Sequence, residues 1–135
     1  MSQPPRRLYC CARAVFLPQL MPENFVGDTA TPLLLRPREF LANARDLATL
    51  KAAVAEQAPR YSEIRAPVAI ITGEADKTVS TGRHSRPFAA AVPGTKLIVL
   101  PDVGHMVQNA APDLVIAEVE AMIGKLAPGA AAAAN

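Results

Sequence analysis

Apolar residues follow two different spacings along this chain, and the change falls at Pro67. Upstream, Phe40, Ala44, Leu47, Lys51, Val54 and Ala58 recur three and four residues apart. Pro37 stands where a first helical position would be and Pro59 stops the pattern, which predicts one or two helices with an apolar stripe. The first 31 residues are interrupted by Pro4, Pro5, Pro18, Pro22 and Gly27, leaving room for only a short helix around Leu8 to Leu17 in an otherwise irregular stretch. From Pro67 the pattern becomes a continuous apolar run, Val68-Ala69-Ile70-Ile71-Thr72, ending at Gly73. A strand buried on both faces of a parallel sheet reads this way. Leu97-Ile98-Val99-Leu100, closed by Pro101, is a second such run.

Between the two runs, Ser80 or Thr81 can cap a helix that continues through Phe88 and Ala91 to a stop at Pro93-Gly94. Strand, helix and strand in that order predict a parallel pair joined by a right-handed crossover. After His105, Pro112 opens a last helix in which Leu114 or Val115, Ala117 or Glu118, and Met122 fall on successive turns, with Val119 and Ile123 widening the apolar face. It is expected to end near Gly124 to Ala127. The pattern divides the chain into an irregular, mostly helical segment over 1–65, a strand-helix-strand-helix unit over 66–127, and an alanine-rich tail over 128–135 that has nothing to pack and reads as frayed.

Half of the 135 residues are apolar and the mean hydropathy is +0.16, so the chain should bury a core rather than stay disordered. That apolar content comes mainly from Ala, Val, Leu and Ile, with no Trp and few other aromatic residues. Few bulky anchors are therefore available to make the core self-sufficient, and some surface is expected to want a partner. The net charge of +2 comes from 14 basic and 12 acidic residues spread along the chain, without the basic stripe that nucleic acid requires. No apolar run approaches the roughly 18 residues of a membrane span. Arg13 cuts the apolar run after Arg6-Arg7 at about five residues, short of the 7 to 15 or so of a secretory signal. The expectation is a soluble, cytoplasmic protein. Cys10 and Cys11 are adjacent, a poor geometry for a disulfide, and have no Cys or His at ligand spacing, so they read as free thiols, with no metal and no cofactor expected.

Two residues are placed to do chemistry together. Asp76 follows the first strand in Gly73-Glu74-Ala75-Asp76, and His105 follows the second in Gly104-His105. Parallel strands lie about 4.8 Å apart, so both side chains reach the same rim of the sheet, where open parallel sheets bind ligands. There a carboxylate can orient an imidazole through one ring nitrogen and leave the other to accept a proton. Taken alone, each residue has an ordinary reading as a solvated loop side chain. Asp102, three residues before His105, reads as a turn former, Glu74 points elsewhere, and His84 on the crossover helix beside Arg83 and Arg86 reads as part of a solvated face. Arg36, Arg38 and Arg45 suit an anionic substrate and exposed helix ends equally well.

The ordered set from Ala66 to about Ala127 resembles the α/β-hydrolase family, in which a Gly-x-x-Asp acid follows the seventh strand and a Gly-His follows the eighth. Pro67, Val79, Pro93-Gly94 and Gly104-His105-Met106 fit the resemblance. Leu33-Leu34-Leu35-Arg36-Pro37, Phe40 to Ala44 and Arg60-Tyr61 look like the helical lid that many members insert after the sixth strand. The resemblance implies a partial α/β-hydrolase fold, a helical lid segment followed by a carboxyl-terminal core unit. It also implies Asp76 as the acid and His105 as the general base of a serine hydrolase acting on esters, amides or similar bonds. Phe16, Leu17, Phe25 and Phe40 would line a hydrophobic-ligand pocket if a core were supplied, though ordinary packing explains any one of them.

The family's nucleophile, in Gly-x-Ser-x-Gly, has no counterpart here. The only serines are Ser2, Ser62, Ser80 and Ser85, and none stands between two such glycines; Cys10 and Cys11 fail the same test. The expectation is therefore a truncated or split family member, inactive alone, whose partner is a Ser-bearing hydrolase core polypeptide or a second copy of itself. The rival expectation is a non-catalytic interaction module that offers an exposed sheet edge to another chain.

Overall fold

A computed structural model describes residues 6–126, so the expected tail lies outside the described residues. Helix α1 (Arg6–Phe16) opens the described chain and is followed by a single-turn helix α2 (Phe25–Asp28) and a 3₁₀ stretch over Thr31–Leu35. Helix α3 (Pro37–Gln57) runs unbroken to a second 3₁₀ stretch over Ala58–Glu63. Strand β1 (Ala69–Gly73), helix α4 (Ser85–Ala91) and strand β2 (Lys96–Leu100) form the crossover unit. A short helix α5 (Val107–Ala110) and helix α6 (Pro112–Leu126) complete the described elements.

The two strands are parallel and in register from Ala69 opposite Lys96 to Gly73 opposite Leu100. They end level, so the two following loops leave the sheet at the same edge. Glu74 N–H donates to the Leu100 carbonyl at 2.9 Å, carrying the ladder one residue further, and Ala75 N–H donates to the Val103 carbonyl at 2.9 Å, joining the loops themselves. Gly73 makes this approach possible, because a β-carbon on it would overlap the carbonyl oxygens of Val103 and Gly104.

Alternation of side chains along β1 sends Ile70 and Thr72 to one face and Ala69 and Ile71 to the other. On the first face, Thr81 Oγ1–H donates to the Gly73 carbonyl at 2.8 Å, leaving its lone pairs for Thr72, 2.8 Å away, while the Ser85 hydroxyl donates to Thr72 Oγ1 at 3.3 Å. Thr72 and Thr81 are both buried, and this chain of hydroxyls satisfies them.

The same hydroxyls explain why α4 starts later than the spacing predicts. Thr81 turns inward to the strand end instead of capping the helix, and residues 80–84 close into a tight turn with His84 N–H on the Ser80 carbonyl at 2.9 Å. The capping hydroxyl is Ser80's, but it serves Arg83 N–H, at 3.4 Å, within that turn.

Hydrophobic burial is sparse. Among the described residues only Phe16, Val26, Val92 and Val107 are buried apolar side chains, and Phe16 meets Phe25 edge-on with ring centroids 4.7 Å apart. Helix α3 buries none of its residues; Phe40, Leu47 and Val54, one stripe of it, are all exposed. Helix α6 turns Leu114, Val115, Glu118 and Met122 inward to partial burial, while Ile116, Val119 and Ile123 stay exposed. The stripes predicted from spacing exist as helix faces, but the described chain covers them incompletely. No helix among the described residues is long and apolar enough to cross a membrane.

The hydroxyl chain yields the first test. Thr81→Val keeps the shape of the side chain but removes two buried bonds, leaving the Gly73 carbonyl only the 3.3 Å bond from Asp76 N–H and the Thr72 hydroxyl only its 3.3 Å bond with Ser85, and should lower stability by about 1–3 kcal/mol, read as a lower urea midpoint at unchanged slope. An unshifted midpoint would show that the buried hydroxyls are not coupled.

Candidate active site

Asp76 and His105 occupy the two loops that leave the carboxyl ends of β1 and β2. Asp76 Oδ2 lies 2.9 Å from His105 Nδ1, and the other carboxylate oxygen, Oδ1, accepts the backbone N–H groups of Thr78 at 2.7 Å and Val79 at 2.9 Å. An ionised carboxylate can only accept, so the imidazole carries its proton on Nδ1 and presents Nε2 as the acceptor. The Asp76 side chain is 6 % exposed and that of His105 35 %. The acid is enclosed, the base half-open, and the ring cannot turn without losing its partner.

Burial pushes the Asp76 carboxyl toward a higher pKa, but the hydrogen bond from His105, the N–H bonds from Val79 and Thr78, and the charge His105 carries when protonated outweigh it and hold the group below its ordinary value of 3.8. Asp76 thus stays ionised at neutral pH, as an orienting carboxylate must.

The loop of His105 is shaped by its neighbours. Asp102 takes a left-handed backbone conformation, φ 57°, consistent with its reading as a turn former. Glu74 is exposed, and its backbone serves the ladder. His84, also exposed, lies on a separate cleft of about 530 Å3 with Tyr61 and Phe88, away from the Asp76–His105 pair. Arg36, Arg38 and Arg45 are exposed around α3.

A cleft of about 430 Å3 opens beside His105. Ala14, Val15, Leu17 and Pro18 form one wall, and Ala75, Lys77, Thr78 and Asp102 the other. Of the four residues expected to line a hydrophobic pocket, Leu17 is on this wall, Phe25 packs on Phe16 and also lines a separate apolar cleft of about 620 Å3, Phe16 is buried, and Phe40 is exposed. Gln19 is a member of the site that spacing along the chain gives no sign of. Its side chain bonds Asp102 and Gly104, 83 and 85 residues away.

The only described serines are Ser62, Ser80 and Ser85, and neither Ser80 nor Ser85 bonds His105, their hydroxyls being used by Arg83 and Thr72. Cys10 and Cys11 are free and exposed on α1. No group of three His, Cys, Asp or Glu among the described residues is arranged to hold a metal ion.

An acid and a base on consecutive loops of parallel strands, in the order Asp then His, coincide with a match of residues 2–118 to the model of the alpha/beta hydrolase family. The chain belongs to that family. No match to a curated protein or to a solved structure accompanies it. Membership in the alpha/beta hydrolase family fits the α/β class of the crossover unit and the level strand ends.

Because its folded pKa is depressed, Asp76 contributes stability that is fully present above the unfolded value near 3.8 and is lost as pH falls through the lower folded value. Carbon-13 titration of the Asp76 carboxyl should give a midpoint below 3.8 that rises toward it in His105→Ala. A midpoint that His105→Ala leaves in place would remove the imidazole as a cause.

Proposed function

We propose that this chain supplies the acid and the base of a serine hydrolase, with Asp76 orienting His105 and His105 acting as general base and then general acid. The 2.9 Å bond between Asp76 Oδ2 and His105 Nδ1 at the shared rim of two parallel strands carries the reading. Family membership supports it. Nε2 would take the proton from a serine hydroxyl as it attacks an ester or amide carbonyl. The Asp76 carboxylate would stabilise the imidazolium, and Nε2 would then return the proton to the leaving group. Segment 1–65 would act as a lid over the site, and 66–127 as the carboxyl-terminal part of the catalytic core.

The nucleophile and the oxyanion donors would come from polypeptide outside these 135 residues, because no Gly-x-Ser-x-Gly occurs within them. A Ser-bearing hydrolase core polypeptide is thus the required partner; a second copy of the same sequence brings no such motif. The substrate would be a small ester, amide or similar molecule.

A second reading, a non-catalytic interaction module, draws on the sheet. Its strand order is β1-β2 among the described residues, so each strand has one unpaired edge, open to a strand from another chain.

The readings separate in a labelling and complementation experiment. The purified chain should not react with a serine-directed phosphonate, whereas stoichiometric labelling that requires His105 would reveal a nucleophile within it. Combined with a Ser-bearing core that binds it, the chain should restore hydrolysis. His105→Ala should abolish that activity, and Asp76→Asn should lower kcat by roughly 10³ to 10⁴-fold through the wrong ring tautomer. Rates unchanged by both substitutions would refute the catalytic assignment.

A further inference from the structure

We propose that Gln19 is a positioning residue for His105, its carboxamide clamping the loop that carries the imidazole to the segment that follows α1. Gln19 Nε2–H donates to the Asp102 carbonyl at 2.7 Å, and Gln19 Oε1 accepts the Gly104 N–H at 2.9 Å. The amide orientation follows from its partners: a backbone carbonyl only accepts and a backbone N–H only donates, so the reversed amide would break both bonds.

The clamped groups are the carbonyl of one residue and the N–H two residues on, which face the same way as in the edge of a strand. The intervening Val103 carbonyl accepts Ala75 N–H at 2.9 Å, from the loop of Asp76. The His105 loop is thus held on one side by Gln19 and on the other by the acid's loop. His105 is the next residue after the second clamped group, so the clamp fixes the backbone from which the ring projects.

Two further contacts make the clamp specific to this place. Gly104 is buried, and a β-carbon there would overlap the carbonyl oxygen of Leu17, so the segment before Gln19 sits directly on the loop. Phe16, fully buried against Phe25, anchors that segment. Through Gln19 the helical amino-terminal segment therefore sets where the base stands relative to its acid. The inference rests on reading Asp76 and His105 as an acid–base pair, but its test needs no hydrolysis.

The experiment is proton and carbon NMR on the whole chain and its Gln19→Leu and Gln19→Asn variants. Leucine fills similar space without polar atoms, and asparagine keeps the amide but is one methylene too short to span both partners. The Nδ1–H of His105 should appear as a low-field resonance in the parent chain. With both clamp bonds lost, it should exchange with water about tenfold faster. The Asp76 carboxyl midpoint should then rise as its imidazole donor is displaced, with Lys77 and Asp102, the other charged groups on the cleft, present throughout. Val92→Ala, which removes buried volume away from this loop, should change stability but neither site signal, separating positioning from general loosening.

If Gln19→Leu fails to fold, Gln19→Asn decides. A Gln19 variant that shifts the Gly104 amide resonance but leaves the His105 proton and the Asp76 midpoint unmoved would overturn the clamp and leave the proposed function standing. Clamp signals that respond as expected, in a chain whose His105→Ala form still supports hydrolysis in a complex, would overturn the function and leave the clamp.

Discussion

Two backbones must approach closely at the carboxyl end of the sheet, and the site depends on that approach. Gly73 and Gly104 stand where any side chain would strike a carbonyl oxygen, of Val103 and Gly104 in the first case and of Leu17 in the second. With no β-carbon in the way, the loop after β1 bonds the loop after β2 through Ala75 and Val103, and the segment after α1 lies on the far side. Three pieces of chain remote in sequence are thus stacked within hydrogen-bond reach. The 2.9 Å contact of Asp76 with His105 is a consequence of that stacking, not an isolated ion pair. An exposed acid–base pair is worth little, but here the carboxylate is enclosed and has three donors, so its charge and orientation are fixed by the fold itself.

Around this well-bonded rim the packing is thin. Among the described residues every buried side-chain nitrogen and oxygen has a hydrogen-bond partner, yet α3 buries no residue and the two strands are covered only in part. A cluster of hydrogen bonds each worth about 1 kcal/mol net can set geometry, but apolar burial supplies most of the free energy of folding. A well-bonded site thus stands beside much uncovered apolar surface, with Leu20, Leu47, Ile123, Leu34 and Phe40 among the large apolar side chains left most exposed.

Most elements were legible because their signals are local. Pro37 and Pro59 bracket α3, the apolar runs ending at Gly73 and Pro101 mark the strands, and Pro112 opens α6. The start of α4 was not legible, since Thr81 has two uses for one hydroxyl and only the folded strand end shows that Gly73 wins. Which apolar stripes are covered was equally invisible: α3 and α6 have similar periodicity, yet one stays open and the other is half-packed.

At the site, the chain order of Asp76 and His105 and their places just past two strand ends were readable from the sequence, because parallel pairing brings short loops that leave level strand ends close together in space. Family membership follows from the same linear pattern. Gln19 belongs to the tertiary structure alone. Nothing in its own neighbourhood distinguishes it from any loop glutamine, and its two partners, 83 and 85 residues on, come within reach only after the strands have paired and Phe16 has been buried. Local chemistry chose the pair that can exchange a proton, and long-range packing decided how firmly that pair is held.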